Sequence, residues 1–461
     1  MYFELVYDKS LAQASYVIGC QKAGIAAVID PKRDVDTYLK IAEENNFKIT
    51  HILETHIHAD FLCGSRELAA ITGGELYLSD EGDEDWKYEF PHNKVKHGDV
   101  IKVGNLSIEA IYTPGHTPEH LSFLLTDHPV TDKPAMLFTG DFVFVGDVGR
   151  PDLLEQAAGI KDTQEKGAHD LFDSLHDFVK MEDYILLWPG HGAGSACGKA
   201  LGAVNMSTIG YEKIRNWALH MLHDKAKFTE ELLSDQPEPP RYFAMMKKLN
   251  KVDRKLLTEV PKIKNLNQQE YQEAKEKNLK LIDARPKEEF SKSFLKGSLN
   301  IPNDNSFSTW MGWFLTYEEY FVLLAEPEEI EEITRKLMRI GMDNVYGFIT
   351  PKQLMGFEKE NLSSYDSIDK AAVKNKMKDA DVQIIDIRGA SEYNEGHIDG
   401  AENVFMGTMD ENLEKVSKEK TAIIYCNSGN RSAIAYSLLA ANGFDNILNY
   451  EGGWSDWSKE A

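Results

Sequence analysis

Cysteine is scarce in this 461-residue chain: Cys20, Cys63, Cys197 and Cys426 lie far apart, with no C-x-x-C pair. That excludes a disulfide framework and fits a reducing, cytoplasmic setting, so each thiol must be packing, ligand or nucleophile. Cations are also in deficit, with 51 Lys and Arg against 75 Asp and Glu, a net charge of -24. Nucleic acid and anionic membrane surfaces both need cationic patches, so neither is expected as a partner. A small anionic substrate is not excluded, because one pocket can be locally positive. No run approaches the roughly 18 apolar residues of a membrane helix. The first twenty residues, MYFELVYDKSLAQASYVIGC, are interrupted by Glu4 and Asp8 and lack the apolar core of a secretory signal. What is present, 42% hydrophobic and 27% charged residues, is the composition of a soluble globular protein long enough for about three domains.

Residues 1–240 alternate short β-branched runs with helical segments. ITHILET runs into His56, LSIEAIYTPGH into His116, AMLFTGD into Asp141 and YILLWPGH into His191. Layered α/β proteins build sites past the carboxyl ends of strands, where loops converge over the sheet edge. The proline-rich stretch SDQPEPPRYF (234–243) reads as a domain edge, and 241–262 as a linker. An internal repeat follows. LIDARPKEEFSKSFLKGSLNIP (281–302) parallels IIDIRGASEYNEGHIDGAENVF (384–405), pairing Asp283 with Asp386, Arg285 with Arg388, Glu289 with Glu392, Gly297 with Gly400 and Asn300 with Asn403. Each copy reads as strand, tight loop, helix and a Gly-containing helix end, giving two α/β domains at 263–355 and 366–461.

The stretch THIHADFLCG (55–64) puts His56, His58 and Asp60 within five positions, with Phe61 after them. One H-x-H is weak evidence of a metal site. Joined by GHTPEH (His116), TGD (Asp141) and PGHG (His191), each at a strand end, it is strong evidence. His58, Asp60 and His191 are possible ligands or lie just outside the ligand set. His97 and His120 read as ordinary histidines or outer supports, and Cys20 and Cys63 as packing.

On the motifs THIHAD, TPGHT, FTGD, GDVGRPDLL and PGHG, residues 1–240 resemble the metallo-β-lactamase superfamily. Within it they are most similar to persulfide dioxygenases, with the thioester hydrolase glyoxalase II as a cousin. The resemblance implies an αββα fold and His56, His116 and Asp141 as metal ligands. Two imidazoles and one carboxylate, with positions left open, are the ligand set of non-haem Fe(II) oxygenases, so one Fe(II) per chain is expected. A binuclear hydrolase needs a second metal. The glyoxalase II pattern has a histidine where this chain has Phe61, which has no lone pair to donate. A harmless swap with two metals still bound is the competing reading. For the substrate, Arg150 either binds a carboxylate or pairs with Asp152. Cys197 is either an inert buried thiol or a contact or sulfur acceptor beside the persulfide. Lys199 is a candidate for an anionic tail.

The strand AIIY runs into CNSGNRS (426–432) at a helix start. Such a loop turns the backbone N–H groups of Asn427, Ser428, Gly429 and Asn430 around Cys426, next to the positive helix end, with Arg431 and Ser432 completing it. That environment stabilises an anionic persulfide. With DIRGASEY, GHIDGAEN and EGGWSDW, residues 366–461 resemble the rhodanese sulfurtransferases, with Cys426 and Arg431 as the catalytic pair the resemblance implies. The first copy has AEPEE at the same place, with Ala325 for Cys426, so it carries no sulfur. A spacer or a dimerisation surface is left as its role. The aromatic segment FSTWMGWFLTYEEYF (307–321) is either core or interface.

The implied whole is an αββα metallo-β-lactamase fold followed by two α/β rhodanese domains, the first silent. The implied activity is oxidation of a low-molecular-weight thiol persulfide by O₂ to sulfite and thiol, coupled to sulfur transfer that forms or uses thiosulfate, as in sulfide detoxification. Small molecules would be the partners, and a homo-oligomer the expected state. The alternative is a binuclear thioester hydrolase of glyoxalase II type with an accessory rhodanese.

Overall fold

A computed structural model describes residues 1–153, 155, 163–199 and 201–459. Two compact units emerge: Met1–Pro261 with Met338–Gly341, and Lys262–Leu337 with Met342–Ala461.

The first unit holds two six-stranded sheets. One runs β1-β2-β3-β4-β5-β6, with β1 Tyr2–Asp8, β2 Gln13–Cys20, β3 Ile25–Ile29, β4 Lys48–Leu53, β5 Glu75–Ser79 and β6 Asn93–Val95. The other runs β12-β11-β10-β9-β8-β7, with β7 Val100–Val103, β8 Leu106–Tyr112, β9 Leu121–Asp127, β10 Met136–Gly140, β11 Leu186–Pro189 and β12 Ser207–Thr208. Strand β2 is buried along its whole length, and its alternating side chains serve two cores. Val17 packs with Tyr38 and Ile41 of helix Asp36–Glu44 and Leu68 of helix Ser65–Thr72. Tyr16 and Ile18 face Ile108, Phe123 and Phe138 of the second sheet. Beyond that sheet, Leu137 and Leu187 pack on Leu171 and Leu175 of helix Thr163–Phe178. Helix, sheet, sheet and helix therefore stack in that order, the expected αββα arrangement.

The segment 241–262 contributes a helix, Phe243–Lys251, to this unit. Its Asn250 amide donates to the carbonyls of His58 and Phe61 (2.8 Å each) and its Oδ1 accepts from Cys63 N (2.8 Å). A stretch that reads as a connector thus clamps the THIHADFLCG loop.

The second unit contains the repeat. One parallel sheet runs β15-β13-β16-β17, from β13 Lys280–Asp283, β15 Leu299–Asn300, β16 Phe321–Leu324 and β17 Val345–Ile349; β14 Phe294–Leu295 pairs with β18 Leu362–Ser363. The other runs β19-β23-β22-β20-β21, from β19 Ser367–Ile368, β20 Val382–Asp386, β21 Glu402–Asn403, β22 Thr421–Tyr425 and β23 Ile447–Tyr450. The paired residues make the same bonds in both copies. Arg285 forks onto Asp283 and reaches Ser293 O, while Arg388 forks onto Asp386 and reaches Gly396 O. Asn300 and Asn403 each bond the carbonyls of their own Asp and Arg. The aromatic segment forms helix Phe307–Phe314 with Phe307, Trp310, Trp313 and Phe314 buried, and Trp313 meets Phe405 edge-on at 5.4 Å.

Candidate metal centre and sulfur loop

Strands β4, β10 and β11 end at Leu53, Gly140 and Pro189, so the residues after them, with the β8–β9 turn, converge over one sheet edge. His56, His116 and Asp141 lie there, all buried, with one potential ligand atom from each within 4.8 Å of the others. Asp141 Oδ2 is 3.5 Å from His116 Nε2 and 4.0 Å from His56 Nε2. His56 Nε2 and both Asp141 carboxylate oxygens are buried without a hydrogen-bond partner among the described residues. Orphaned buried atoms of this kind are costly unless a cation sits among them. The donor set fits a metal.

Each of these side chains is held from behind. His116 Nδ1 lies 2.8 Å from Arg150 O, and His56 Nδ1 lies 3.0 Å from Thr55 Oγ1. Thr55 in turn donates from Oγ1 and N to Asp30 (2.8 and 2.7 Å). Both rings thereby turn Nε2 inward, the arrangement that tunes metal-bound imidazoles. Burial, reinforced for His56 by the neighbouring imidazoles, keeps both rings below the usual histidine pKa and hence neutral. His120 Nε2 accepts from Asp141 N (3.1 Å), and its Nδ1 lies 2.9 Å from Thr113 Oγ1. Glu119 Oε1 holds Ile57 N at 2.7 Å between the two histidines of H-x-H, and burial pushes its carboxyl up to about 7. Two motif glycines make room for Asp141. A Cβ on Gly190 would come 2.5 Å from Asp141 Oδ1, and one on Gly149 would overlap Asp141 O.

The remaining sequence-predicted residues divide. Asp60 and His191 stand at the cluster: His191 Nε2 is 3.2 Å from Asp60 Oδ2 and 3.6 Å from Asp141 Oδ1. Burial opposes a charged His191, but Asp141 and Asp60 outweigh it and hold the ring well above the usual histidine pKa. Cys197 joins these two in a second buried group whose ligand-type atoms lie within 4.8 Å of one another. Burial, with Asp60 and Asp141 nearby, pushes its thiol up to about 12. His58 turns to Asp30 (3.1 Å), and Phe61 packs on its ring at 4.3 Å between centroids. Arg150 forks onto Asp152 (2.7 and 2.5 Å) and bonds the carbonyls of Ala196 and Pro237. Of the two roles open to it, the geometry is that of the Asp152 pair. The Lys199 ammonium bonds Glu231 O and Ser234 Oγ, at the end of helix Lys225–Leu233, and lies over the Trp217 ring. Asp30, Asn250, Glu119 and the glycines were not legible as site residues. Asp30 had one signal: it closes the run IAAVID as Asp141 closes MLFTGD.

In the second unit, β22 delivers Cys426 to the start of helix Asn430–Ala441. Gly429, at φ +85°, bends the loop so that its N–H points at Cys426 Sγ (3.1 Å). Ser432 Oγ lies 3.8 Å from the sulfur. Arg431 forks onto Glu392 (2.5 and 2.7 Å). Gly453 packs against the Cys426 carbonyl, which Trp454 N caps at 2.8 Å. A sulfur placed on Cys426 meets the Gly429 N–H and a helix N-terminus. The first copy has Ala325, and there the Glu329 carboxylate caps the helix start by accepting from Glu326 N (3.3 Å).

Comparison with known proteins gives two family matches: the metallo-beta-lactamase superfamily over residues 10–197, and the rhodanese-like domain over 267–346 and 369–460. A solved metallo-beta-lactamase from Staphylococcus aureus subsp. aureus COL is 43% identical, with a TM-score of 0.71, covering 76% of this chain and 99% of that one. A hydroxyacylglutathione hydrolase of Rhodospirillum rubrum is 32% identical over 178 residues, 38% of this chain and 60% of its own length. The mitochondrial persulfide dioxygenase ETHE1 of Bos taurus is 28% identical over 195 residues, 40% of this chain and 66% of its own. The chain thus spans less than two thirds of these two curated relatives.

Proposed function

The chain belongs to the metallo-β-lactamase superfamily and continues into two rhodanese-like domains, and from that premise we propose that it is a persulfide dioxygenase with a built-in sulfurtransferase. The observation that carries the reading is the buried set His56, His116 and Asp141, whose ligand-type atoms lie within 4.8 Å of one another, with His56 Nε2 and both Asp141 oxygens unpartnered among the described residues. Two imidazoles and a carboxylate suit Fe(II), which when bound supplies the electrons that O₂ chemistry needs. The chain's own residues do the rest. Thr55 and the Arg150 carbonyl fix the ring orientations, and His120 fixes the Asp141 main chain. Cys197 forms a sulfur-bearing wall beside Asp60 and His191. The products would be sulfite and the free thiol.

At the second site, Cys426 attacks the outer sulfur of a donor and leaves with it as an enzyme persulfide. Gly429 N–H and the helix end stabilise that anion. Transfer of the sulfur to sulfite gives thiosulfate, and the reverse direction is chemically equivalent. Four unpaired thiols support a reducing location.

A second reading has its own support. Asp60, His191 and Cys197 form a further ligand-type group beside Asp141, and a hydroxyacylglutathione hydrolase is among the relatives. Paired metals activating water for thioester hydrolysis is that reading. Anaerobic purification with metal analysis separates the two. About one iron per chain, with O₂ uptake on adding glutathione persulfide, supports the dioxygenase. Two zinc-type ions, thioester turnover and no O₂ uptake overturn it.

A further inference from the structure

The silent copy has lost its cysteine but kept a cavity. About 270 Å³ opens past the carboxyl ends of β13 and β15, with Glu329, four residues past Ala325, in its wall. Part of its lining belongs to the other copy: Asn430 and Arg431 of the sulfur loop and Ile434 of the helix that follows. Lys287 of the silent copy lies 3.4 Å from Glu451, whose carbonyl packs against Gly429 of that loop. The cavity therefore adjoins the machinery around Cys426.

We propose that this cavity binds the body of the thiol that exchanges sulfur with Cys426, and that the thiol bears an amine. The cavity has room for an aminothiol, and charge sets the preference. The cations at the wall are already answered: Arg431 by Glu392, Lys287 by Glu451 and Glu288, and Lys336, which bonds Asn303 Oδ1 and Asp304 O, by Glu332. Asp304 and Glu329 then set the sign, with the indole of Trp310 as an aromatic wall suited to an ammonium group. An amine-bearing thiol is favoured there and a simple anion is not.

The step balances without an outside oxidant. The thiol sulfur attacks the outer sulfur of the Cys426 persulfide, and a new S–S bond forms as the one to Cys426 breaks. Cys426 departs as thiolate and takes up the proton the thiol gave up. The inference rests on the sulfur-carrier reading of Cys426 and assigns the silent domain the role of substrate recognition.

The test uses the full-length protein with thiosulfate as donor. Four acceptors are compared: cysteamine (an amine), 2-mercaptoethanol (neutral), 3-mercaptopropionate (a carboxylate) and cyanide (too small to need the cavity). The expected result is a KM for cysteamine at least tenfold below those of the other two thiols. Glu329→Gln should raise the cysteamine KM at least tenfold more than the cyanide KM. Because Glu329 also caps a helix, Glu288→Lys on the exposed rim serves as the second variant, with the same expected split. Equal KM values for the three thiols, or variants that shift cysteamine and cyanide alike, overturn the proposal. Cyanide turnover that survives Cys426→Ser would instead overturn the reading beneath it.

Discussion

Gly190→Ala isolates the positioning of Asp141. Gly190 has an ordinary backbone, so the substitution acts through the added methyl alone. That Cβ would sit 2.5 Å from Asp141 Oδ1, against the 3.4 Å at which ordinary contact begins, so about 0.9 Å must be found. The neighbours cannot easily give. Gly140 backbone atoms lie 3.1 and 3.2 Å from the same Cβ, and Gly190 N is bonded to Gly140 O at 2.7 Å. The carboxylate is the movable part. Metal sites tolerate about 0.2 Å in ligand distance, and disturbing the groups that orient a ligand costs about 10–100-fold in metal affinity. Metal affinity should fall within that range, while overpacking should cost the metal-free fold about 1–3 kcal/mol. The assay is anaerobic metal titration by competition with a chromophoric chelator, beside thermal unfolding of metal-free protein. A folded Gly190→Ala protein with wild-type metal affinity would refute the reasoning.

Other outcomes follow from the same geometry. Asn250→Ala removes three buried bonds to the THIHADFLCG loop, so unfolding should become easier by about 3 kcal/mol at roughly 1 kcal/mol per bond; chemical denaturation measures it. Glu119 has its carboxyl raised by burial from 4.5 to about 7. Its protonated form is favoured in the folded state, so stability is full below pH 4.5 and declines as pH rises through 7, by on the order of 3 kcal/mol. In metal-free protein Glu119→Gln should flatten that decline, and an unchanged pH profile would count against it. Cys426→Ser should abolish sulfur transfer to cyanide while O₂ uptake continues; loss of both would show that the sites are not separable.

Much of this architecture was legible in the chain because strand-end chemistry and repeats are local patterns. His56, His116 and Asp141 each follow a β-branched run, and the Asp283–Arg285–Asn300 pattern reappears as Asp386–Arg388–Asn403 with the same bonds. What was not legible depends on tertiary approach. Asn250 follows a proline-rich stretch that reads as a domain edge, yet its helix docks onto a loop 190 residues earlier. Gly190 and Gly149 act through the absence of a side chain. A lone carboxylate such as Asp30 is common at strand ends, and it is its bonds to Thr55 and its contact with His58 that connect it to the candidate metal centre. Arg150 offered two partners in the sequence, and proximity to Asp152 decided its geometry.

The most direct measurement of the central claim is O₂ consumption by anaerobically iron-loaded protein when glutathione persulfide is added. The account predicts about one O₂ consumed per persulfide, sulfite as product, and no uptake by His116→Ala. Iron-loaded wild-type protein that consumes no O₂, or His116→Ala that consumes it at the wild-type rate, would contradict it.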